Sequence, residues 1–333
     1  MSLAASVLTG DRYSLARLLT LVENGREEGR SGLAELFPHT GHAHLIGVTG
    51  APGTGKSSLV NQLALHFRKA QGRRVGIVAV DPSSPFSGGA VLGDRVRMRD
   101  LSGDPGVFIR SMASRGSLGG LAQATAGVVQ VFDAAGFEVI LIETVGAGQA
   151  EVDIARLAHT TLVVEAPGLG DDIQAIKAGI LEIADILVIN KADRPGVENT
   201  EKALKSMLEL AHPVQRVFRH HGRDMGVSGS PGPEAGMWIP PILRVVATQG
   251  SGIPELAQAI ARHVEYLRAS GDWAARERAR LEAELDLLIR EKLLDDFRAS
   301  LPGPEFEQVV GQMLKHELSP WEAAGLLLNG RKV

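Results

Sequence analysis

Residues 50–57 read G-A-P-G-T-G-K-S, which matches the pattern G-x-x-x-x-G-K-S completely. The short apolar run Leu45–Thr49 precedes this stretch, and Lys56–Gln71 after it has the spacing of a helix. A strand, a glycine-rich turn and a helix in this order form a phosphate loop, whose backbone N–H groups curl around the phosphates of a nucleotide. The feature therefore predicts an α/β fold organised around a nucleoside triphosphate site.

The side chains of this loop have separate predicted roles. Lys56 reaches the β- and γ-phosphates, and the Ser57 hydroxyl is placed to bind Mg²⁺. A helix that begins at the loop adds the positive end of its dipole to the site. The residues predicted here to bind nucleotide are Gly50, Pro52, Gly53, Thr54, Gly55, Lys56, Ser57 and Ser58.

Short apolar runs alternate with helical patterns along most of the chain, which is typical of βαβ units around a mostly parallel, doubly wound sheet. The predicted strands are Leu45–Thr49, Val75–Val80, Val107–Arg110, Val139–Ile142, Thr161–Glu165, Ile186–Ile189 and Leu243–Ala247. The predicted helices between or after them are Lys56–Gln71, Leu118–Ala135, Asp171–Glu182, Glu198–Leu210 and Ile253–Ala269. Both faces of the sheet are therefore expected to be covered by helices.

Helical segments flank this region, so three parts are expected: residues 1–42, a nucleotide-binding domain of residues 43–269, and a C-terminal helical extension of residues 270–333. In the first part, Tyr13–Asn24 and Ser31–Phe37 have helical patterns, and Asp11 is placed to cap the first. The stretch His220–Gly236 is rich in Gly, Ser, Pro and His and predicts a loop.

The C-terminal extension begins with a long charged helix, Asp272–Leu294, and shorter helices follow near Glu305–Lys315 and Pro320–Leu328. Apolar residues form a stripe along the long helix at Leu281, Leu285, Leu288 and Ile289. Such a stripe must be buried. It either packs on its own domain or forms a dimer interface.

Composition narrows the class of protein. The 333 residues carry a formal net charge of −4 and are 44% apolar, so nothing in the overall charge favours nucleic acid or an anionic membrane as partner. The chain has no cysteine, which excludes disulfides, thiolate metal sites and cysteine nucleophiles. No signal-peptide pattern or apolar run of membrane-spanning length is seen, and a cytoplasmic protein is expected.

A second motif, Asn190-Lys191-Ala192-Asp193, follows the predicted strand Ile186–Ile189 and favours guanine as the base. An Asp carboxylate here can accept hydrogen bonds from N1–H and the exocyclic amino group of guanine, and adenine lacks both donors. The position at the carboxyl end of a strand is where such sheets bind ligands. Ala247 and Thr248, after another strand, are predicted to approach the base.

Three carboxylates are candidates for the γ-phosphate end of the site. Glu143 ends a strand and precedes Gly146, an arrangement that resembles a magnesium-binding acid followed by a γ-phosphate-sensing glycine. Asp81 also ends a strand, and Asp94 lies in a glycine-containing stretch; each of these two could instead be a turn or cap residue. The predicted catalytic residues are Lys56, Asp81, Asp94, Glu143 and Gly146, and the predicted Mg²⁺ ligands are Ser57, Asp81, Asp94 and Glu143.

Ala147 bears on the rate of hydrolysis. Small signalling GTPases have a glutamine directly after the glycine of this segment, which orients the attacking water. Here Gly146 is followed by Ala147, and Gln149 is the nearest glutamine. Slow hydrolysis by the free protein is therefore predicted, with a partner completing the site.

Five motifs together resemble those of the methylmalonyl-CoA mutase-associated GTPases of the MeaB/ArgK type. They are the phosphate loop, V-D-P-S-S at 80–84, G-G at 88–89 with L-G-D at 92–94, E-T-V-G-A-G-Q at 143–149 and N-K-A-D at 190–193. The resemblance implies a GTP/GDP- and Mg²⁺-binding chaperone for an adenosylcobalamin-dependent acyl-CoA mutase, which would stimulate its GTPase activity. The resemblance also implies a homodimer held by C-terminal helices. It implies that adenosylcobalamin is a cofactor of the partner mutase and concerns this chain only through that partner. By the same resemblance, Asp171, Gln174 and Lys177 belong to a switch that relays nucleotide state to the mutase.

Two other functions stay open on sequence. A related GTPase could deliver nickel or cobalt, but such proteins typically use cysteine-containing sites; His39, His42 and His44 are instead expected to lie in a solvated connection. A kinase-like ATPase linked to amino-acid transport is the second alternative, and the motif at 190–193 argues against ATP.

Overall fold

The computed structural model describes residues 2–81, 99–101, 103–113, 118–144, 150–168, 182–210, 218–220, 223–225, 237–301 and 303–329. The chain divides into two compact units, Met1–Leu281 and Glu282–Val333. The first unit carries the sheet and the second is helical. In the ranges given, no helix is long and apolar enough to cross a membrane.

The strands of the first unit are β1 (His44–Thr49), β2 (Val75–Asp81), β3 (Val107–Ala113), β4 (Val139–Thr144), β5 (Thr160–Glu165), β6 (Ile186–Ile189), β7 (Phe218–His220), β8 (Arg223–Met225) and β9 (Ile242–Arg244). As far as the chain is described, seven of them form one parallel sheet in the order β3-β2-β4-β1-β5-β6-β9. β7 and β8 form a separate antiparallel hairpin. The predicted parallel α/β sheet is confirmed.

The helices of the described chain are α1 (Leu3–Leu8), α2 (Arg12–Glu23), α3 (Glu27–Leu36), α4 (Lys56–Gln71), α5 (Leu118–Ala134), α6 (Ala150–Leu157), α7 (Val197–Leu210), α8 (Ile253–Ser270), α9 (Asp272–Ser300), α10 (Gly303–Leu314) and α11 (Pro320–Asn329). As predicted, Asp11 caps α2: its Oδ2 accepts a hydrogen bond from Ser14 N at 2.8 Å. The predicted helix Asp171–Glu182 lies almost entirely outside the described residues.

Helices cover the two faces of the sheet, and its central strands are therefore buried on both sides. Every residue of β1, β4, β5 and β6 is buried, as expected for a parallel sheet. On one face, Leu63 of α4 and Ile260 of α8 belong to the same buried cluster as Val48. On the other face, Leu18 of α2 and Phe132 of α5 pack in a cluster with Ile140, so the N-terminal helices are part of this core.

Several elements differ from the prediction. The helices α1 and α6 were not expected, because six and eight residues are too few to show a helical period. α3 begins at Glu27, four residues before the predicted start, and α9 continues to Ser300. The expected loop from His220 begins instead within a hairpin, in which His220 pairs with Arg223.

Candidate nucleotide site

The phosphate loop connects β1 to α4 at the carboxyl edge of the sheet, and three of its glycines have left-handed backbone conformations. The φ angles are 137° at Gly50, 80° at Gly53 and 91° at Gly55. Residues other than glycine rarely adopt such angles. Gly55 is also the N-cap of α4 and offers no side chain to cap it, so the first backbone N–H groups of the helix are available for an anion.

Two of these glycines also allow close packing. A Cβ atom at Gly50 would lie 2.1 Å from the Val164 carbonyl oxygen of β5, and one at Gly55 would lie 2.4 Å from Asn190 Nδ2. Both distances are shorter than atoms tolerate without movement. The glycines of the pattern therefore serve the packing of the loop against β5 and Asn190 as well as its curvature.

Lys56 begins α4 and is 5% exposed. Its ammonium group donates hydrogen bonds to the carbonyl oxygens of Gly50, at 2.8 Å, and Ala51, at 2.9 Å. The side chain is thus folded over the loop that it follows. A phosphate bound in the loop would compete with these two carbonyl groups for the ammonium donors.

Ser57 and Glu143 meet beside the loop. The register of β1 and β4 places Glu143 opposite Val48, and Ser57 Oγ donates a hydrogen bond to Glu143 Oε1 at 2.6 Å. Both side chains are buried, and Glu143 is 3% exposed. A hydroxyl and a carboxylate are hard oxygen donors of the kind that Mg²⁺ prefers, so the donor set fits that ion.

Asn190 joins three loops through one buried amide. Its Nδ2 donates to the carbonyl oxygens of Thr54, at 2.8 Å, and Gly55, at 3.3 Å. Its Oδ1 accepts from the backbone N–H groups of Lys191, at 2.8 Å, and Ala247, at 3.1 Å. The side chain therefore fixes the phosphate loop, its own loop and the loop after β9 relative to one another.

The other residues predicted to contact the base lie around this amide. Lys191 has a φ of 57° and donates from Nζ to the Gly53 carbonyl oxygen at 2.6 Å. Asp193 and Thr248 are exposed, and Ala247 is buried. The structure thus brings Gly50–Ser57, Glu143 and the 190–193 motif together at one edge of the sheet.

Other predicted site residues lie elsewhere or cannot be placed. Pro52 and Ser58 are exposed on the loop and the first turn of α4. The backbone of Asp81 ends β2, and the structure does not describe its side chain. Asp94, Gly146, Asp171, Gln174 and Lys177 lie outside the described residues.

The sequence did not predict the hydrogen bond from Lys191 to the phosphate loop, nor a hydrogen bond between two buried threonines. Thr144 Oγ1 donates to Thr49 Oγ1 at 3.2 Å, where β4 and β1 end side by side. Two polar residues at the ends of predicted strands were a usable signal for this pair. Nothing in the sequence signalled the Lys191 contact, since it depends on a left-handed backbone.

The prediction that His39, His42 and His44 lie in a solvated connecting segment is wrong for His44. β1 begins at this residue, and its ring is buried with Nε2 2.8 Å from Thr160 Oγ1. His39 and His42 are exposed. Among the described residues, no group of three or more His, Asp or Glu side chains could hold a metal ion.

Comparison with known proteins identifies the family. A family profile described as methylmalonyl Co-A mutase-associated GTPase MeaB matches residues 15–301 of the chain. The chain belongs to the MeaB family of GTPases. Membership of a P-loop GTPase family implies that the chain binds GTP and GDP.

Relatives from distant organisms agree with this assignment. A Pyrococcus abyssi protein with a GTPase name is 46% identical over 319 residues, covering 96% of this chain and 93% of the relative. GTPase ArgK of Escherichia coli is 35% identical over 79% of this chain and 75% of its own length. The mouse methylmalonic aciduria type A homolog, a mitochondrial protein, is 31% identical over 99% of this chain and 79% of its own.

A solved structure supports the fold of this MeaB-family chain. The crystal structure of a LAO/AO transport system kinase aligns with a TM-score of 0.68 and 26% sequence identity. The alignment covers 98% of this chain and 95% of the other. The likeness to this solved structure therefore includes the unit that carries the sheet and residues of the helical unit.

Proposed function

We propose that this GTPase is a chaperone that gates adenosylcobalamin loading, protection and reactivation of a cobalamin-dependent acyl-CoA mutase. The profile that matches the chain is named for association with methylmalonyl-CoA mutase, and the mouse relative is named for methylmalonic aciduria. The observation that carries the nucleotide half of the proposal is the buried amide of Asn190, which joins the phosphate loop to the guanine-type motif.

In the proposed site, the backbone N–H groups of the loop and of the first turn of α4 hold the phosphates. Lys56 exchanges its two carbonyl partners for phosphate oxygens, which draws the ammonium group toward the β- and γ-phosphates. Ser57 and Glu143 would hold Mg²⁺, which would supply charge stabilisation at the phosphates. Asp81, Asp94 and Gly146 are proposed to complete the γ-phosphate end.

The base assignment is tested by calorimetric titration with GTP and ATP. A site that bonds the guanine edge through Asp193 should prefer GTP by roughly 10⁴. Comparable affinities would overturn the guanine assignment and favour the kinase-like ATPase function.

The phosphate assignment is tested with Lys56→Ala. Loss of a charge-assisted contact to phosphate should weaken GTP binding by roughly 100-fold or more. Lys69→Ala is the matched control, because Lys69 lies on the exposed side of the same helix. Retained GTP affinity in Lys56→Ala would refute the site.

The chaperone role is tested by adding purified acyl-CoA mutases to the GTPase assay. With Ala147 at the position of the usual glutamine, turnover should be slow alone and rise roughly tenfold or more with the correct mutase. Acceleration by none of them would contradict the chaperone role. Asp171, Gln174 and Lys177 are proposed as relay residues, and Gln174→Ala should reduce this activation more than it reduces GTP affinity.

A homodimer through the 270–333 extension is also part of the proposal. No residue of α9 is buried, and Leu285, Leu288 and Ile289 are 58%, 43% and 46% exposed. Covering such a stripe by a second copy would remove apolar surface from water. In light scattering after gel filtration, Leu285→Glu should give a monomer, whereas Glu291→Gln on the same helix should stay dimeric.

A further inference from the structure

The amino edge of the sheet, opposite the phosphate loop, carries a cluster of buried and half-buried polar and aromatic side chains that nucleotide binding does not use. We call it the amino-edge cluster. It joins the starts of β1, β5 and β6 to α8 and to the first three turns of α9, all within the unit Met1–Leu281. Its members are His44, His159, Thr160, Asp185, His263, Trp273, Arg276 and Glu277.

His159 is held in one neutral form by the groups on its two nitrogens. Nδ1 accepts a hydrogen bond from the backbone N–H of Leu45 at 3.0 Å. Nε2 therefore carries the proton and donates it to Glu277 Oε1 on α9. A doubly protonated ring would place N–H against the N–H of Leu45, so the bond from β1 requires a neutral imidazole.

Asp185 fixes the same helix through an ion pair. Arg276 donates to both of its carboxylate oxygens, at 2.8 and 2.9 Å, and Nη1 also donates to the carbonyl oxygen of His159 at 2.6 Å. Asp185 is 1% exposed and also accepts from the backbone N–H of Thr161 at 2.9 Å. One arginine of α9 thus binds the segments that precede β5 and β6.

A chain of hydrogen bonds continues from β1 to α8. His44 Nε2 lies 2.8 Å from Thr160 Oγ1, which lies 2.9 Å from His263 Nδ1, and His263 Nε2 lies 3.3 Å from Asp185. In this chain His44 donates from Nε2 to the Thr160 hydroxyl, and the hydroxyl donates to Nδ1 of His263. All four side chains are buried.

Trp273, in the first turn of α9, packs on this layer. Its ring stacks on His159 with centroids 3.9 Å apart and an interplanar angle of 23°. The guanidinium carbon of Arg268 lies 5.2 Å from the ring centroid of Trp273. Stacking, ion pairing and the His159–Glu277 bond all converge on residues 272–281 of α9.

We propose that the amino-edge cluster is an acid-sensitive anchor, which holds the first three turns of α9 on the sheet while His159 is neutral and releases them on acidification. The residues involved take no part in the proposed GTP site, so the anchor stands apart from the proposed function. The geometry supports this because a second proton on His159 would fall on Nδ1, the atom that accepts the hydrogen bond from the backbone N–H of Leu45.

The surroundings set the direction of titration. Burial lowers the pKa of His159 below 6.5, and although Glu277 opposes this, Arg276 and Arg280 reinforce it. Burial also lowers the pKa of His44 well below 6.5, and His159 and His263 add to the effect. The titratable and charged groups that act on these two rings come from several elements: Arg73 after α4, His263 and Arg268 of α8, and Arg276, Glu277 and Arg280 of α9. Asp185, before β6, lies against His263 and Arg276.

The sign of the pH effect follows. Because its pKa is lowered, His159 stabilises the anchor fully above pH 6.5, and this stabilisation falls as the pH drops below 6.5, because the released state binds a proton that the anchored state excludes. Burial alone would raise the pKa of Glu277, but its bonds to His159 and Arg280 lower it from 4.5 to about 2. Protonation of Glu277 therefore weakens the anchor only below pH 4.5. The effects of histidine and of Glu277 thus fall in different pH ranges.

Hydrogen exchange measured by mass spectrometry on the full chain tests the anchor. After correction for intrinsic exchange, protection of residues 272–281 should fall roughly tenfold between about pH 7.5 and about pH 5.5. Protection of β4, at 139–144, should change by less than about twofold over this interval. Unchanged protection of 272–281, or an equal loss in β4, would overturn the proposal.

His159→Asn identifies the group that titrates. An asparagine can still accept the Leu45 N–H bond, but it cannot gain a proton, so the pH-dependent loss should shrink to less than about threefold. His39→Asn, at an exposed histidine, should behave like the natural chain. A loss in His159→Asn as large as in the natural chain would overturn the assignment. If that variant does not fold, the profile of the natural chain with β4 as its internal reference still decides.

Discussion

Replacing Asn190 by alanine should destabilise the protein in the absence of nucleotide. The amide is 2% exposed and makes bonds to three loops, two as donor and two as acceptor. Alanine removes all four and leaves the backbone groups of Thr54, Lys191 and Ala247 without this partner. The effect should appear in the free protein, because every one of these bonds is formed without a ligand.

The expected magnitude follows from the bond lengths. Three of the four bonds are between 2.8 and 3.1 Å and the fourth is 3.3 Å. A buried hydrogen bond contributes about 1 kcal/mol net, so the loss should be about 3 kcal/mol. For a chain of 333 residues, that corresponds to a decrease in Tm of about 4–5 °C.

The assay is thermal unfolding of the nucleotide-free protein, followed by calorimetry or circular dichroism. Asn199→Ala makes the same chemical change at an exposed position of α7 and should change the free energy of unfolding by less than about 0.5 kcal/mol. If Asn190→Ala weakens GTP binding but leaves the Tm of the free protein unchanged, the amide does not hold the loops together, and the reasoning fails.

Two further predictions use matched pairs. Gly55→Ala should destabilise the protein by about 3 kcal/mol, because Gly55 has a left-handed φ of 91° and its new Cβ would lie 2.4 Å from Asn190 Nδ2. Gly53→Ala should destabilise it by about 1–2 kcal/mol, because Gly53 has a φ of 80° but open space around it. Equal losses of stability in urea unfolding would contradict the packing argument. Asp185→Asn should cost about 3 kcal/mol by leaving Arg276 without its buried carboxylate, whereas Asp286→Asn, in an exposed pair, should change stability by less than about 0.5 kcal/mol. A near-neutral Asp185→Asn would show that the ion pair does not stabilise this edge.

Much of the fold could be predicted because it depends on local pattern. The apolar runs at β1, β4 and β6 mark strands buried on both faces, and the helix after the phosphate loop has its predicted bounds, Lys56–Gln71. Short elements were missed because one or two turns of helix show no clear period, as at α1 and α6. The hairpin at His220 was missed because neither strand alternates apolar and polar residues.

The sequence by itself determined the phosphate loop, the guanine-type motif and the alternation that builds the sheet, since each is written in neighbouring residues. The tertiary structure alone decided that Asn190 bonds to Thr54, 136 positions away, and that His159 meets Glu277 across 118 positions. A hydrogen bond between distant segments depends on strand order and backbone angle, which no local pattern records. For that reason the loops of the nucleotide site were predicted one by one, whereas their connections and the amino-edge cluster emerged from the fold.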